Sequence, residues 1–289
     1  MPKNRKRLIT GEDLYALAVI SDVRISPSGG HVIFTQQRVD PGDEKKYSNL
    51  WVVGTDDGKP SQFTFGDQED SQPRWSPDGE MIAFLSNRGD KEKPPQIFLI
   101  PFRGGEARKL TDIEGKIGSF SWSPDGKKFL CKVRKTDQEI LDRQDGEKKK
   151  ELGTVKRHYD RVFYKLDGEG YLPHERWHIW TVSANTGQGN QLTKHEIFDE
   201  TDPTWSPDGK LIAFMSNRST DPDLEPDAVD LFVMAASGGK SRKVNTPPGE
   251  KSMPSFSPDG RYIAYFGTEG YKNWFKNQGL WIVPTDGSG

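Results

Sequence analysis

The sequence predicts an all-β fold, a β-propeller of four-stranded blades, and three observations carry that prediction. A serine–proline turn motif recurs along the chain: ISPSG at 25–29, WSPDG at 75–79, 122–126 and 205–209, and FSPDG at 256–260. Its serines, at 26, 76, 123, 206 and 257, are spaced by 50, 47, 83 and 51 residues. Four short strands repeated every ~40–50 residues are the signature of a propeller blade. Finally, 30 glycines and 20 prolines in 289 residues favour many turns over long helices.

The elements follow one order in every unit. A first strand ends in Trp75, Trp122, Trp205 or Phe256, an aromatic expected to pack between blades. The turn motif comes next, and then a second strand such as MIAFLS (81–86) or LIAFMS (211–216), short, apolar and bounded by turn residues. Third strands read LWVV (50–53), IFLI (97–100), HIWTV (178–182), DLFVM (230–234) and LWIV (280–283), each followed by a glycine turn. Threonines at 64, 111, 193 and 246 close four units. The blades are therefore expected at 23–64, 65–111, 112–193, 194–246 and 247–289. The long third spacing places an insertion at 134–160, read as an exposed excursion with a short helix. The fifth unit is expected to lack its outer strand, and the chain to belong to a longer one. Residues 1–22 form an N-terminal extension in which TGEDLYAL reads as a helix start, with Thr10 as cap and Glu12 and Asp13 in the first turn.

A serine beside an aspartate invites a catalytic reading, but a nucleophile occurs once per site and this pair recurs at blade period. The order instead fits a type I turn followed by a left-handed residue. Serine accepts a local N–H, proline presets φ, aspartate tolerates the third position, and glycine takes positive φ at little cost. That role is assigned to Ser76, Pro77, Asp78 and Gly79; Ser123, Pro124, Asp125 and Gly126; Ser206, Pro207, Asp208 and Gly209; and Ser257, Pro258, Asp259 and Gly260.

The bulk composition excludes several classes. Basic and acidic residues nearly balance, 41 against 43, so no basic field argues for nucleic acid. Cys131 stands alone, which rules out an internal disulfide and any multi-cysteine metal site. No apolar run follows the basic start MPKNRKRLITGEDLY, and none approaches the ~18 residues of a membrane span. The reading is a cytoplasmic protein, although a mature exported chain would look the same.

No serine has the G-x-S-x-G frame of a nucleophile elbow, so no triad is assigned and the chain alone is expected to be non-catalytic. HERWH (174–178) spaces two histidines for one helical face but lacks the acidic residue of a zinc motif, and Pro173 argues for a loop. The acidic loop DPDLEPDAVD (221–230) offers Asp221, Asp223, Glu225, Asp227 and Asp230, but lacks the EF-hand glycine and contains two prolines. It reads as a solvated connection between the second and third strands of blade four. No cofactor or metal is expected.

Three stretches together resemble the prolyl oligopeptidase family, and its acylaminoacyl-peptidase branch in particular. They are LITGEDLYALAVISDVRISPSGGHVIFTQQ (8–37), the blade signature WSPDGKLIAFMSNR, and RVFYKLDGEGYL (161–172) with HIWTVSANTGQGNQLT (178–193). The blade signature is shared with TolB-like and tricorn-type propellers. The resemblance implies a propeller, commonly seven-bladed, capping a C-terminal α/β-hydrolase domain with a Ser-Asp-His triad, and restricting access to short or N-terminally blocked peptides. On this reading the chain holds about five blades, its partners are peptide substrates and the hydrolase domain, and residues 10–20 face that domain. Within RVFYKLDGEGYL, Asp167 and Gly168 read as a hairpin turn. Arg161 and Tyr164 are candidate substrate-binding residues at the propeller's mouth, with packing as the competing role. Two functions compete: the gating propeller of a serine oligopeptidase, and a free-standing TolB-like module binding a protein or peptide. Open blade edges also offer a route to self-association.

Overall fold

The computed structural model describes residues 7–56, 58–91, 93–137, 158–159, 161–271 and 275–288. Most of the 134–160 insertion, with the short helix expected in it, lies outside the described residues. Among the described residues no helix is long and apolar enough to cross a membrane. The chain divides into two compact units, Met1–Leu110 and Thr111–Gly289.

The first unit opens on a short 3-10 turn, Gly11–Ala16, rather than a lengthening helix. Thr10 N–H donates to the Asp13 carboxylate at 2.8 Å, closing the first turn. None of its six residues is buried, and a helix with no packed face has little to extend it. Two four-stranded antiparallel sheets follow. The first contains β1 (Val19–Ile25), β2 (His31–Val39), β3 (Lys46–Gly54) and β4 (Pro60–Gln62), in that spatial order. The second contains β5 (Ser71–Trp75), β6 (Met81–Ser86), β7 (Gln96–Pro101) and β8 (Arg108–Lys109), ordered likewise. Between them Ile33 and Leu50 of the first sheet pack on Ile82, Phe84, Phe98 and Ile100 of the second, with Trp75 against the cluster.

The second unit repeats the plan. Its first sheet joins β9 (Gly115–Trp122) and β10 (Lys128–Lys135) to β13 (Trp177–Ser183) and β14 (Gly189–Gln191), and the short hairpin β11 (Lys165–Leu166) and β12 (Gly170–Tyr171) lies in the interval. The next sheet runs β15 (Glu200–Trp205), β16 (Leu211–Asn217), β17 (Val229–Ala235) and β18 (Arg242–Lys243). The last has three strands, β19 (Lys251–Phe256), β20 (Tyr262–Gly267) and β21 (Gly279–Pro284).

The middle sheet of this unit explains why its central strands carry continuous apolar runs instead of alternating. Ile212 and Phe214 of β16 face the preceding sheet, packing with Leu130, Ile179, Phe232 and Met234. Ala213 and Met215 face the following one, with Leu231, Val233, Ile263, Tyr265 and Val283. A strand buried on both faces needs apolar residues at every position. Phe214 is wholly buried, and truncating such a side chain costs ~3–5 kcal/mol.

The turn motifs share one hydrogen-bond set. In the copy at 205–209, Ser206 Oγ lies 2.6 Å from Asp208 Oδ1 and accepts the Leu211 N–H at 2.9 Å, while Asp208 accepts the Lys210 N–H at 3.0 Å. The Gly209 N–H closes the turn on Ser206 O at 2.9 Å, and Gly209 sits at φ +70°. Successive turns nest. A Cβ built on Gly79 would lie 3.6 Å from Pro27, one on Gly209 3.5 Å from Pro124, and one on Gly260 3.7 Å from Pro207. The first strands also carry bulges at which Asp22, Gln72, Asp202 and Met253 adopt positive φ, each four residues before its motif serine.

Candidate functional site

The insertion-bearing sheet and the acidic loop of the next sheet meet at a single ion pair. Arg161 grips Asp223 with both arms, Nη2 to Oδ1 at 2.9 Å and Nε to Oδ2 at 3.2 Å. The Phe163 N–H adds a third bond to Asp223 Oδ2 at 3.1 Å. Burial raises the Asp223 pKa, but Arg161 and the Phe163 N–H outweigh it and hold the carboxyl below its ordinary range. The acidic loop is itself braced. Asp221 accepts the N–H groups of Asp223 at 3.1 Å and Leu224 at 3.2 Å, and the Asn217 amide donates to Glu225 O at 2.6 Å.

Beyond Arg161 the chain forms the β11–β12 hairpin, with Gly168 and Gly170 both at positive φ in its tight end. Asp-Gly occupies the turn because one residue there must take a left-handed conformation. Arg134 of β10 reaches Glu169 at 3.6 Å, and Lys165 lies over the Tyr171 ring at 5.4 Å. Tyr164 packs its ring 4.9 Å from Tyr159 and keeps its backbone carbonyl on the Leu172 N–H at 2.9 Å. Arg161 is thus committed to Asp223, whereas Tyr164 remains half exposed. Val162, Phe163, Tyr164, Leu166 and Tyr171 are all exposed apolar or aromatic side chains.

A concavity of about 820 Å³ opens beside this joint, lined by Phe163, Asp223, Leu224, Glu225, Pro226, Asp227 and Tyr271. That volume lies within the usual range of ligand sites, ~300–1,000 Å³. Residue-type reasoning paired neither Arg161 with the acidic loop nor Phe163 with Tyr271. The one available signal was two apolar residues, Leu224 and Pro226, set inside a carboxylate-rich loop; Tyr271 had none.

The histidines of HERWH part company. His174 is exposed, with its N–H on Asp137 at 3.0 Å. His178 is buried on β13 with Nδ1 2.8 Å from Glu200. Glu200 also accepts from Thr193 Oγ1 at 3.0 Å and pairs with Arg218 at 3.5 Å. Among the described residues no three of His, Cys, Asp and Glu gather as a metal site. Cys131 is wholly buried, which pushes its thiol far above the usual range and leaves it unreactive.

Residues 19–158 match the model of the TolB beta propeller domain. The chain has a β-propeller fold, and over that stretch it is similar to TolB propellers. This propeller is 35% identical over 231 residues to the uncharacterized peptidase YuxL of Bacillus subtilis, an overlap of 79% of this chain and 34% of that protein. It is 28% identical over 288 residues to dipeptidyl-peptidase 5 of Porphyromonas gingivalis, covering 92% of this chain and 40% of the relative. Among solved structures, the acylaminoacyl peptidase of Pyrococcus horikoshii superposes with a TM-score of 0.69 at 20% identity, over 93% of this chain and 39% of that one. The propeller therefore spans about a third to two fifths of the length of the curated peptidases it matches.

Proposed function

We propose that this propeller is the non-catalytic gate of a serine oligopeptidase related to acylaminoacyl peptidases, selecting short or N-terminally blocked peptides for a separate α/β-hydrolase domain in the cytoplasm. The observation that carries the reading is the β11–β12 hairpin. It is an excursion of one blade, and the segment leading into it is clamped to the next blade by Arg161 and Asp223 and exposes Val162, Phe163 and Tyr164. Apolar side chains held outward on an anchored excursion suit contact with a partner domain or a passing peptide. The peptidase names of the relatives support the same reading.

The test has two steps. The native reading frame is followed past Gly289 for a domain bearing G-x-S-x-G. In the protein that carries it, residues 158–176 are replaced by a glycine–serine linker, and the hydrolysis of long and short acyl peptides is compared. Gating predicts that long peptides gain relative to short ones; an unchanged ratio refutes it. The match to the TolB domain favours one other reading, a free-standing binding module, which a reading frame ending at Gly289 would select.

A further inference from the structure

We propose that the concavity beside the hairpin binds a cationic amine carried on an apolar group, the chemistry of a peptide amino terminus or of a basic peptide side chain. That the natural ligand is a peptide rests on the gating reading above; the chemistry of the cavity does not.

Four of the seven lining side chains are apolar or aromatic: Phe163, Leu224, Pro226 and Tyr271. Phe163, Leu224 and Tyr271 remain 40%, 65% and 55% exposed. An apolar ligand body would remove part of that surface from water, a gain of roughly 25 cal/mol per Å². The other three are carboxylates, and their states differ. Asp223 is neutralised by Arg161 in a two-armed pair. Asp227 is buried and engaged within the chain. Glu225 points from the exposed wall, and among the described residues its carboxylate has no hydrogen-bond or ion-pair partner. Among the described residues no lysine or arginine lines the cavity, and the nearby Arg161 charge is already spent on Asp223. Among the described residues the wall thus holds one unpaired carboxylate, Glu225, set among aromatic and aliphatic groups. An anion is repelled there and a neutral apolar ligand leaves Glu225 unused. A cation on an apolar stem satisfies both, and Phe163 and Tyr271 add aromatic rings to the wall.

Benzylamine is the probe and benzyl alcohol its neutral counterpart, titrated into the purified chain by NMR. Benzylamine is expected to bind and benzyl alcohol to bind several-fold more weakly. Glu225→Gln is expected to weaken benzylamine about five-fold, the scale of one partly exposed charge pair, and to leave benzyl alcohol unaffected. Leu224→Ser should weaken both. Unchanged thermal midpoints establish that the variants fold. Phenylalaninamide and Nα-acetyl-lysinamide then separate an amino terminus from a side chain as the source of the amine, and binding of either supports the proposal. Equal binding of benzylamine and benzyl alcohol overturns it, as does a Glu225→Gln variant with unaltered benzylamine affinity. None of these measurements needs a hydrolase domain, so failure of the gating reading leaves them intact.

Discussion

Arg88 sets its guanidinium 2.5 Å from the carboxylate of Asp70, which is wholly buried. Ser86 donates to the same carboxylate at 2.6 Å, and Arg88 lies over the Phe84 and Phe98 rings at 5.1 and 5.5 Å. The pattern recurs at Arg218, which faces Glu200 at 3.5 Å and stacks over Phe232 at 4.1 Å. There the longer carboxylate side chain also reaches His178. The arginines that end both SNR tripeptides are thus latches inside their blades.

Removing the arginine while leaving the acid strands a buried charge. Arg88→Met is expected to cost about 3 kcal/mol in urea unfolding, and the double change Asp70→Asn with Arg88→Met to recover part of it. A loss below about 1 kcal/mol for the single variant would show that Asp70 does not depend on Arg88.

Gly209 tests the turn. Its Cβ would meet Pro124 at ordinary contact distance, so conformation and not space is the constraint. Gly209→Asn should cost under about 1 kcal/mol and Gly209→Val roughly 2 kcal/mol, since branched residues resist positive φ far more than asparagine does. Equal thermal midpoints for the two variants would contradict that reasoning.

Lys251 is nearly buried, its Nζ donating to Val229 O at 2.8 Å and Gly249 O at 2.9 Å. Burial lowers its pKa from 10.5 to about 8, opposed by Asp230 and aided by Lys243. The folded chain therefore sheds this proton before the unfolded chain does as pH rises. Stability should climb between about pH 8 and 10.5 and be lost as pH falls back through 8, a change on the order of 3 kcal/mol. Lys251→Met should flatten the slope of unfolding free energy over this interval, read from urea curves at several pH values.

Cutting the hairpin's anchor should loosen it without unfolding the blades. Arg161→Met is expected to change global stability by less than about 1 kcal/mol, yet to speed protease cleavage between residues 158 and 176 severalfold. Asp223→Asn, which keeps a hydrogen-bond acceptor, should fall between wild type and Arg161→Met. Unaltered cleavage in both variants would mean the hairpin is held elsewhere.

Blade architecture was legible because the turn chemistry is local. A serine that must accept an N–H five residues on, and a glycine that must take positive φ, leave fixed marks at fixed offsets. The apolar runs of β6 and β16, bounded by turn residues, likewise announced strands; their burial on both faces is the structure's addition. Among the described residues the fifth sheet has three strands, with β21 at its edge. The site was less legible because it is assembled across blades. Arg161 and Asp223 are 62 residues apart, and no periodicity links a hairpin in one repeat to a loop in the next. Tyr271 entered the cavity wall with no motif around it. The N-terminal segment shows the opposite limit: its capping residues are present, but without a packed face they close only one short turn.

The nesting of Pro124 on Gly209 and of Pro207 on Gly260 makes neighbouring repeats mutually dependent in a directional way. The fourth blade receives a ring from the third through Gly209 and offers a ring to the fifth through Pro207. A blade transplanted from another protein would have to match both neighbours at once, one by backbone conformation and the other by ring placement. Swapping two adjacent blades together disturbs only the outer two of the three contacts. Repeats of this chain are therefore better exchanged in consecutive runs than singly.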